Sequence, residues 1–192
     1  MDGPQERAQA GLRARDFRRR KNMTLEQVAA ASGMSSGHLS RFERGEKSLS
    51  IASLMRLARA LQTTVGHLLG EDGSAKDLHL VRAGEARSRS VEDGAGPYEF
   101  FLLSGSAADH VGHETFIVSI PRSSRRANSA FHSGHELLYL LSGSLRVQVG
   151  SHEVQLNPGD YLEFPGHYQH EIESIAELSE VLIIVFDGSR MS

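Results

Sequence analysis

The chain has 192 residues, of which 39% are hydrophobic, and it carries a net charge of −3 at pH 7 and no cysteine. This length suits one large domain or two small ones, and the lack of cysteine excludes disulfide bonds and thiolate chemistry. No apolar run approaches the ~20 residues of a membrane-spanning helix, and the first residues are polar and charged rather than apolar as in a signal peptide, so we expect a cytoplasmic protein.

The charge is distributed unevenly along the chain. Residues 1–70 contain 12 Lys and Arg against 6 Asp and Glu, whereas residues 71–192 contain 9 against 18. A basic first part favours a polyanionic partner such as DNA, because Lys and Arg release counterions from the phosphates that they neutralise. The acidic remainder disfavours the same partner. The charge pattern therefore predicts two domains with different tasks.

Helical periodicity predicts an all-α domain of five helices over residues 8–70. The first helix is predicted over residues 8–21, the fourth over residues 51–61 and the fifth over residues 65–69. Ala10, Ala14 and Phe17 form the apolar stripe of the first helix. The second and third helices are short and lie close together in the chain. The segment that contains them is the part of the domain from which a function can be predicted.

Residues 24–44 predict a helix, a tight turn and a second helix, the layout that places one helix in the major groove of DNA. Thr24 and Gln27 form a capping box before the first of these helices. Gly33 stands at the turn, where glycine tolerates a positive φ. The other helix has a small, polar open side near its N-terminus, where recognition helices contact base edges. The predicted DNA-binding residues are Ser35, Ser36, Gly37, His38, Ser40, Arg41 and, as a phosphate contact after the helix, Lys47.

The segment SGMSSGHLSRFERGEKSLSIASLMRLARAL resembles the pattern of the XRE, or lambda-repressor-like, helix-turn-helix family, and the resemblance covers residues 10–70. It implies a transcription regulator that binds double-stranded DNA. It also implies an ion pair behind the third helix, between Glu43 and either Arg15 or Arg18. The alternative is a helical bundle of the same layout that has lost DNA binding.

The second part of the chain predicts an all-β domain over residues 78–187, after a linker at residues 71–77 that is rich in Gly, Ser and charge. Strand-like alternation begins at residues 78–82, and residues 92–97 and 104–113 are predicted loops. Further strands are predicted at residues 98–103, 115–120, 136–141, 145–149, 153–156, 161–164, 170–173 and 181–186. Many short strands separated by tight turns are typical of an antiparallel sandwich or barrel.

Two motifs in this part resemble those of the cupin family over residues 98–187. The matching residues are His132, Glu136 and Gly143 in the first motif, and Gly159, Pro165 and His170 in the second. Ala130 stands where the first motif has another histidine, and Gly166 lies one place earlier than the glycine of the second motif. The resemblance implies a jelly-roll barrel.

A metal site is predicted at His132, Glu136 and His170. His132 and Glu136 are an even number of residues apart, so on one strand their side chains would share a face, whereas His135 would point away. Two histidines and one carboxylate suit Fe(II), with Zn or Mn as alternatives. The competing interpretation is a metal-free cupin whose histidines line a ligand pocket. The predicted aromatic contacts of a small-molecule ligand are Tyr98, Phe100 and Tyr139.

The leading functional hypothesis is a transcription regulator. Its first domain binds a palindromic operator, while the cupin domain senses a small-molecule effector and supports a homodimer or higher homo-oligomer. The alternative is a mononuclear non-haem iron oxidase or epoxidase, because the two-domain layout and the His-x(3)-Glu…His pattern resemble hydroxypropylphosphonate epoxidases. A third hypothesis is a storage or structural cupin with a vestigial first domain. The basic charge and polar helix face of residues 1–70 favour the regulator, since an enzyme would not need them.

Overall fold

The computed structural model describes residues 4–70, 79–86, 88–92, 97–104, 113–124 and 130–186. The described residues divide into two compact units, an α-helical unit up to Leu80 and a β unit from Val81 onward. The predicted linker at residues 71–77 lies outside the described residues, so its structure stays a prediction. Among the described helices, none is long and apolar enough to cross a membrane.

The five predicted helices are confirmed. They are α1 (Pro4–Arg20), α2 (Leu25–Ser32), α3 (Ser36–Glu43), α4 (Ile51–Ala60) and α5 (Val65–Leu69). Helix α1 begins four residues earlier than predicted, which is consistent with the tolerance of the first helical turn for proline. Each of the other helices begins after a Ser or Thr whose hydroxyl accepts a hydrogen bond from a backbone N–H of the first turn.

The helical unit has one apolar core. Its fully or almost fully buried side chains include Ala14, Val28, Leu39, Phe42, Leu57, Leu61 and Leu68. Burial of each large aliphatic side chain contributes about 1.5–3 kcal/mol. Leu12 lies off the stripe of α1 and is exposed, as the periodicity indicates.

Helices α1 and α3 approach each other at Gly11. A Cβ atom on Gly11 would lie 2.1 Å from the carbonyl oxygen of Phe42. Only glycine permits this approach of two backbones. The contact was not predicted, because a glycine within a helical pattern does not reveal which element passes over it.

In the part of the chain that the structure describes, the β unit has nine strands in two antiparallel sheets. The strands are β1 (Ser88–Glu92), β2 (Pro97–Leu102), β3 (His113–Pro121), β4 (His135–Ser142), β5 (Leu145–Val149), β6 (His152–Leu156), β7 (Tyr161–Pro165), β8 (His170–Ser174) and β9 (Leu178–Phe186). One sheet has the order β1-β2-β3-β9-β4-β7 and the other the order β6-β5-β8. This is the jelly-roll architecture that the cupin resemblance implies.

The first predicted strand is wrong. Residues 79–82 form no strand, and a turn follows them at residues 83–85. The chain instead enters the sheet at β1, whose mostly polar residues lack the apolar alternation of a half-buried strand. Strand β1 is held by its antiparallel ladder with β2, in which Arg89 lies opposite Phe100. Most of the predicted loop at residues 104–113 lies outside the described residues.

Alternate residues of the central strands face the interior of the β unit. On β4 these are Glu136, Leu138 and Leu140, and on β9 they include Val181 and Val185. Val147 and Leu145 on β5 are fully buried as well. The residues of opposite parity on β4 and β9 are exposed or half-buried, so the six-stranded sheet has a buried inner face and an accessible outer face.

A candidate DNA-binding surface and a candidate metal centre

Helix α3 presents one polar side to solvent. Its buried residues are Leu39, Phe42 and Glu43. Among the predicted DNA-binding residues, Ser35, Ser36, Gly37 and Arg41 are exposed, whereas His38, Ser40 and Lys47 are half-buried. The Ser35 hydroxyl accepts a hydrogen bond from the His38 N–H at 3.2 Å and fixes the start of the helix.

An ion pair between the half-buried Arg18 and the buried Glu43 holds α3 against α1. The guanidinium of Arg18 donates to both carboxylate oxygens of Glu43, from Nε at 2.7 Å and from a terminal nitrogen at 2.8 Å. A further bond joins Arg18 to the Met23 carbonyl at 3.1 Å. The hydrogen bond to Glu43 raises the pKa of Arg18 above its ordinary value. The predicted partner of Glu43 is therefore Arg18 and not Arg15.

The β unit brings His132, Glu136 and His170 together. Nε2 of His132 lies 2.6 Å from Oε2 of Glu136, and Nε2 of His170 lies 3.2 Å from the same oxygen. One donor atom from each residue falls within 4.8 Å of the others. All three residues are buried, with relative exposures of 6%, 4% and 3%. The three predicted ligands thus form one buried cluster.

His132 reaches this cluster by a route that its spacing did not predict. Strand β4 begins at His135, so His132 lies before the strand and the argument from strand parity does not apply to it. Its backbone N–H donates to the Gly166 carbonyl at 2.8 Å, and the Gly166 N–H donates to the Gly134 carbonyl at 2.8 Å. These bonds bend the segment before β4 over the end of β7 and turn the imidazole inward.

Gly166 provides the space for that imidazole. A Cβ atom at this position would lie 2.2 Å from Cε1 and 2.3 Å from Nδ1 of His132. The sequence shows Gly166 only as a glycine displaced by one place from its motif. The structure assigns it a local role, since any larger residue would displace the His132 ring.

The backbone fixes which nitrogen of each imidazole faces Glu136. Nδ1 of His132 is 3.0 Å from the Ser133 carbonyl oxygen, and Nδ1 of His170 is 2.9 Å from the Tyr168 carbonyl oxygen. A carbonyl only accepts, so each Nδ1 carries the proton. In a neutral imidazole, Nε2 then presents a lone pair to a carboxylate oxygen that also only accepts. A second proton or a cation must therefore lie between each Nε2 and the carboxylate oxygen of Glu136.

The electrostatics of the cluster favour a negative carboxylate among cationic partners. Burial alone would raise the pKa of Glu136, but hydrogen bonds from His132 and His170 outweigh it and lower this pKa to about 2. Burial would lower the pKa of His170, yet the hydrogen bond and the charge of Glu136 raise it above the ordinary value. The carboxylate is consequently ionised at neutral pH and requires a positive neighbour.

The donor set fits a divalent metal. It comprises two imidazole nitrogens and one carboxylate oxygen, with both Nδ1–H groups anchored on backbone carbonyls as is usual for metal-binding histidines. Ala130 pairs directly with His170, with backbone bonds of 2.9 and 3.0 Å, and offers only a methyl group. Three protein donors would leave coordination positions open to other molecules.

The three aromatic residues predicted to contact a ligand do not meet this cluster. Strand pairing aligns Phe100 of β2 with Leu140 of β4, through Val118 and Val181. Leu140 lies four residues, or about 13 Å, from Glu136 along β4. Phe100 is therefore at least this far from Glu136 in the direction of the strands. Phe100 instead packs edge-on against Phe116 in the core.

Tyr98 lies two residues further from the cluster along β2 than Phe100. Tyr139 has the opposite parity to Glu136 and is 40% exposed on the outer face. The aromatic residue at the cluster is Phe164, which lies opposite Glu136 and has its ring centroid 5.0 Å from that of His170. His135 points outward, 3.5 Å from Glu163, as predicted.

Two families match this chain. The family described as HTH_3, helix-turn-helix, matches residues 15–68, and the cupin domain family matches residues 116–186. Control protein C.SmaI of Serratia marcescens is 36% identical over 59 residues, which cover 31% of this chain and 70% of that protein.

Solved structures with a similar fold include an HTH_3 family transcriptional regulator from Vibrio cholerae. That structure has a TM-score of 0.69 and 20% identity, and the match covers 95% of this chain and 97% of that one. The iron(II) form of HppE in complex with substrate has a TM-score of 0.51 and 19% identity, and covers 94% of this chain and 99% of that one. At these identities the likeness shows the fold alone.

Proposed function

Because the chain belongs to the XRE-type helix-turn-helix family of DNA-binding transcription regulators and carries a cupin domain, we propose that the cupin domain senses a small molecule and supports a dimer. The observation that carries this proposal is the buried cluster of His132, Glu136 and His170. A regulator has no structural need for an ionised carboxylate between two imidazoles in the interior of its second domain, where burying charge is costly.

On the DNA side, we propose that α3 reads an operator through its exposed polar side. The contacting residues are Ser35, Ser36, Gly37, His38, Ser40 and Arg41, with Lys47 on a phosphate. Ser and Arg side chains donate hydrogen bonds to base edges and phosphates. The basic charge of the first 70 residues supports this assignment, because it supplies the sequence-independent part of the affinity. A dimer would read two half-sites related by two-fold symmetry.

On the sensing side, we propose that His132, Glu136 and His170 hold one divalent metal, either Fe, Zn or Mn. A metal bound there supplies a Lewis acid with open positions that a small molecule can occupy. The protein contributes the orientation of both imidazoles, the charge of Glu136 and an apolar neighbour in Phe164. Such a site selects small ligands with donor atoms of their own.

The same donor set also supports a second candidate function, that of a mononuclear iron oxidase. Two histidines and a carboxylate with open positions are typical of non-haem Fe(II) oxygenases. The two candidates differ in a simple measurement. An oxidase loaded with Fe(II) consumes oxygen when its substrate is added, whereas a sensor binds its effector without oxygen uptake.

The proposed function is tested by selecting bound duplexes from a random pool and measuring metal content on the same protein sample. We expect an enriched palindromic sequence and about one metal ion per chain. His132→Ala should abolish metal binding, whereas His135→Ala, which changes an exposed neighbouring histidine, should not. A pool without enrichment would refute sequence-specific binding, and equal metal content in both variants would refute the site.

A further inference from the structure

The outer face of the six-stranded sheet carries an apolar row that crosses five strands. From β2 to β7 it consists of Phe101, Ile117, Leu182, Tyr139 and Tyr161, each directly opposite the next in the strand register. These residues alternate with buried ones such as Phe116 and Leu138, so they point away from the core. Tyr139 and Tyr161 are 40% and 54% exposed.

The apolar row continues into the next register positions on one side. The adjacent row contains Thr115, Ile184, Leu137 and Glu163, and the one after it contains His113, Phe186, His135 and Pro165. On the other side the polar residues Ser119, Glu180 and Ser142 follow. The face therefore has an apolar centre and a polar edge, which is the usual anatomy of a protein–protein interface.

The dimensions of this face match those of a stable dimer contact. Six strands about 4.8 Å apart and up to nine residues long, at about 3.4 Å per residue, give a face of about 24 Å by about 30 Å. A specific interface of standard size buries about 800 Å² on each partner, and this face measures roughly 700 Å² before side-chain relief is counted.

We propose that this outer face is the surface through which two copies of the chain form a two-fold dimer. The proposal rests on the dimer of the proposed function and names its surface. In a two-fold contact the same patch meets itself in reverse order. An axis near Leu182, the middle residue of the apolar row, sets Tyr161 of one copy against Phe101 of the second copy and Tyr139 against Ile117. Aromatic pairs of this kind add to the apolar contact.

DNA does not fit the same surface. The three rows contain no Lys or Arg, and the carboxylates of Glu163 and of Glu180 at the edge repel phosphate. A second copy fits because the row has aromatic residues at both ends and aliphatic residues at its centre, so it is complementary to itself when reversed.

The proposal is tested by sedimentation of the full chain. We expect a dimer for the wild type and a dimer dissociation constant raised at least tenfold in Tyr139→Glu/Tyr161→Glu, because the two charges enter the apolar centre. Both tyrosines are exposed in one chain, so the fold should survive. Leu12→Glu, an exposed leucine in α1, is the matched control and should leave the dimer intact. A monomeric wild type, or a double variant that dimerises like the wild type, would overturn the proposal.

A second test uses the absence of cysteine from the chain. A single Leu182→Cys lies near the proposed axis, so mild oxidation should link two copies, whereas Leu12→Cys should not link them. Equal yields of covalent dimer would contradict the interface.

Operator binding is measured in parallel. A dimer that binds no operator would refute the proposed regulator alone, and an operator-binding dimer that is insensitive to the tyrosine and cysteine substitutions would refute the interface alone.

Discussion

At Glu136, burial and hydrogen bonding act on the same carboxyl group in opposite directions. Burial favours the neutral acid, whereas the two imidazoles stabilise the carboxylate, and the balance lowers the pKa to about 2. A buried anion that stays ionised is strongly destabilising if its partners are lost. The site therefore requires a positive charge, which the divalent metal of the proposed function would supply with His132 and His170 as its other ligands.

The first residue-scale prediction concerns Gly166, which leaves space for the imidazole of His132, a proposed metal ligand. Gly166→Ala should weaken metal binding about 10- to 100-fold, the range found when groups that orient ligands are changed, because the added methyl displaces the His132 imidazole. Zn²⁺ affinity is measured by competition with a chelating dye. Ser133→Ala is the control, since the Ser133 carbonyl and not its side chain accepts from His132. Unchanged affinity in Gly166→Ala would show that the ring has room to move.

The second residue-scale prediction concerns Arg41. It is exposed on the open side of α3, and its Nε donates to the Gly37 carbonyl at 3.3 Å. Arg41→Ala should weaken binding to the selected operator at least several-fold, because it removes a donor to a base edge or phosphate. Arg59→Ala removes an equal charge from α4 and should change affinity far less. Gel-shift titrations at one salt concentration compare the operator affinities of the two variants. Equal losses of affinity would show that Arg41 contributes only its charge.

At the scale of elements, α3 owes its orientation to the helices around it. An isolated helix of eight residues is unstable in water. The Arg18–Glu43 pair joins α3 to α1, and the approach of Gly11 to the Phe42 carbonyl brings the two backbones into contact. The polar side of α3 can therefore point outward as a fixed surface, because the opposite side is held by charge and by packing.

This arrangement predicts the effect of breaking the pair. Arg18→Ala should lower the free energy of unfolding of the helical unit by about 3 kcal/mol, since it leaves the Glu43 carboxylate buried without its guanidinium. Arg20→Ala breaks an exposed pair with Asp16 and should cost less than about 1 kcal/mol. Urea unfolding followed by circular dichroism at the helical band measures both. Similar midpoints for the two variants would contradict the structural role of Arg18.

How far the sequence predicts an element depends on where its stabilising contacts lie. The helices were predictable because caps such as Thr24 and stripes such as Ala10–Ala14 are local signals. Strand β1 was missed because its polar residues are held by pairing with β2, a contact between distant parts of the chain. Motif spacing predicts the three residues of the proposed metal site. The path of His132, however, depends on Gly166, more than thirty residues away, and no local pattern encodes it.

At the scale of the whole molecule, the opposite charges of the two parts have a physical consequence. The basic first 70 residues attract phosphate, while the acidic remainder repels it. The charge pattern therefore favours the helical unit as the part of the chain that contacts DNA. This charge separation agrees with the proposed function, in which the helical unit binds DNA and the β unit senses a small molecule.

The final prediction concerns the coupling between these two tasks. If metal binding changes operator affinity by some factor, operator binding must change metal affinity by the same factor, because both describe one thermodynamic cycle. We expect a factor of about 5 to 150, the usual range for coupled sites.

Operator affinity is measured with Zn²⁺ and with a chelator, and Zn²⁺ affinity is measured with and without the operator duplex. His132→Ala should remove the metal dependence of operator binding, whereas His135→Ala should keep it. Operator affinity that is independent of metal would contradict coupling between metal binding and DNA binding, since a ligand shifts an equilibrium only by binding its two states unequally.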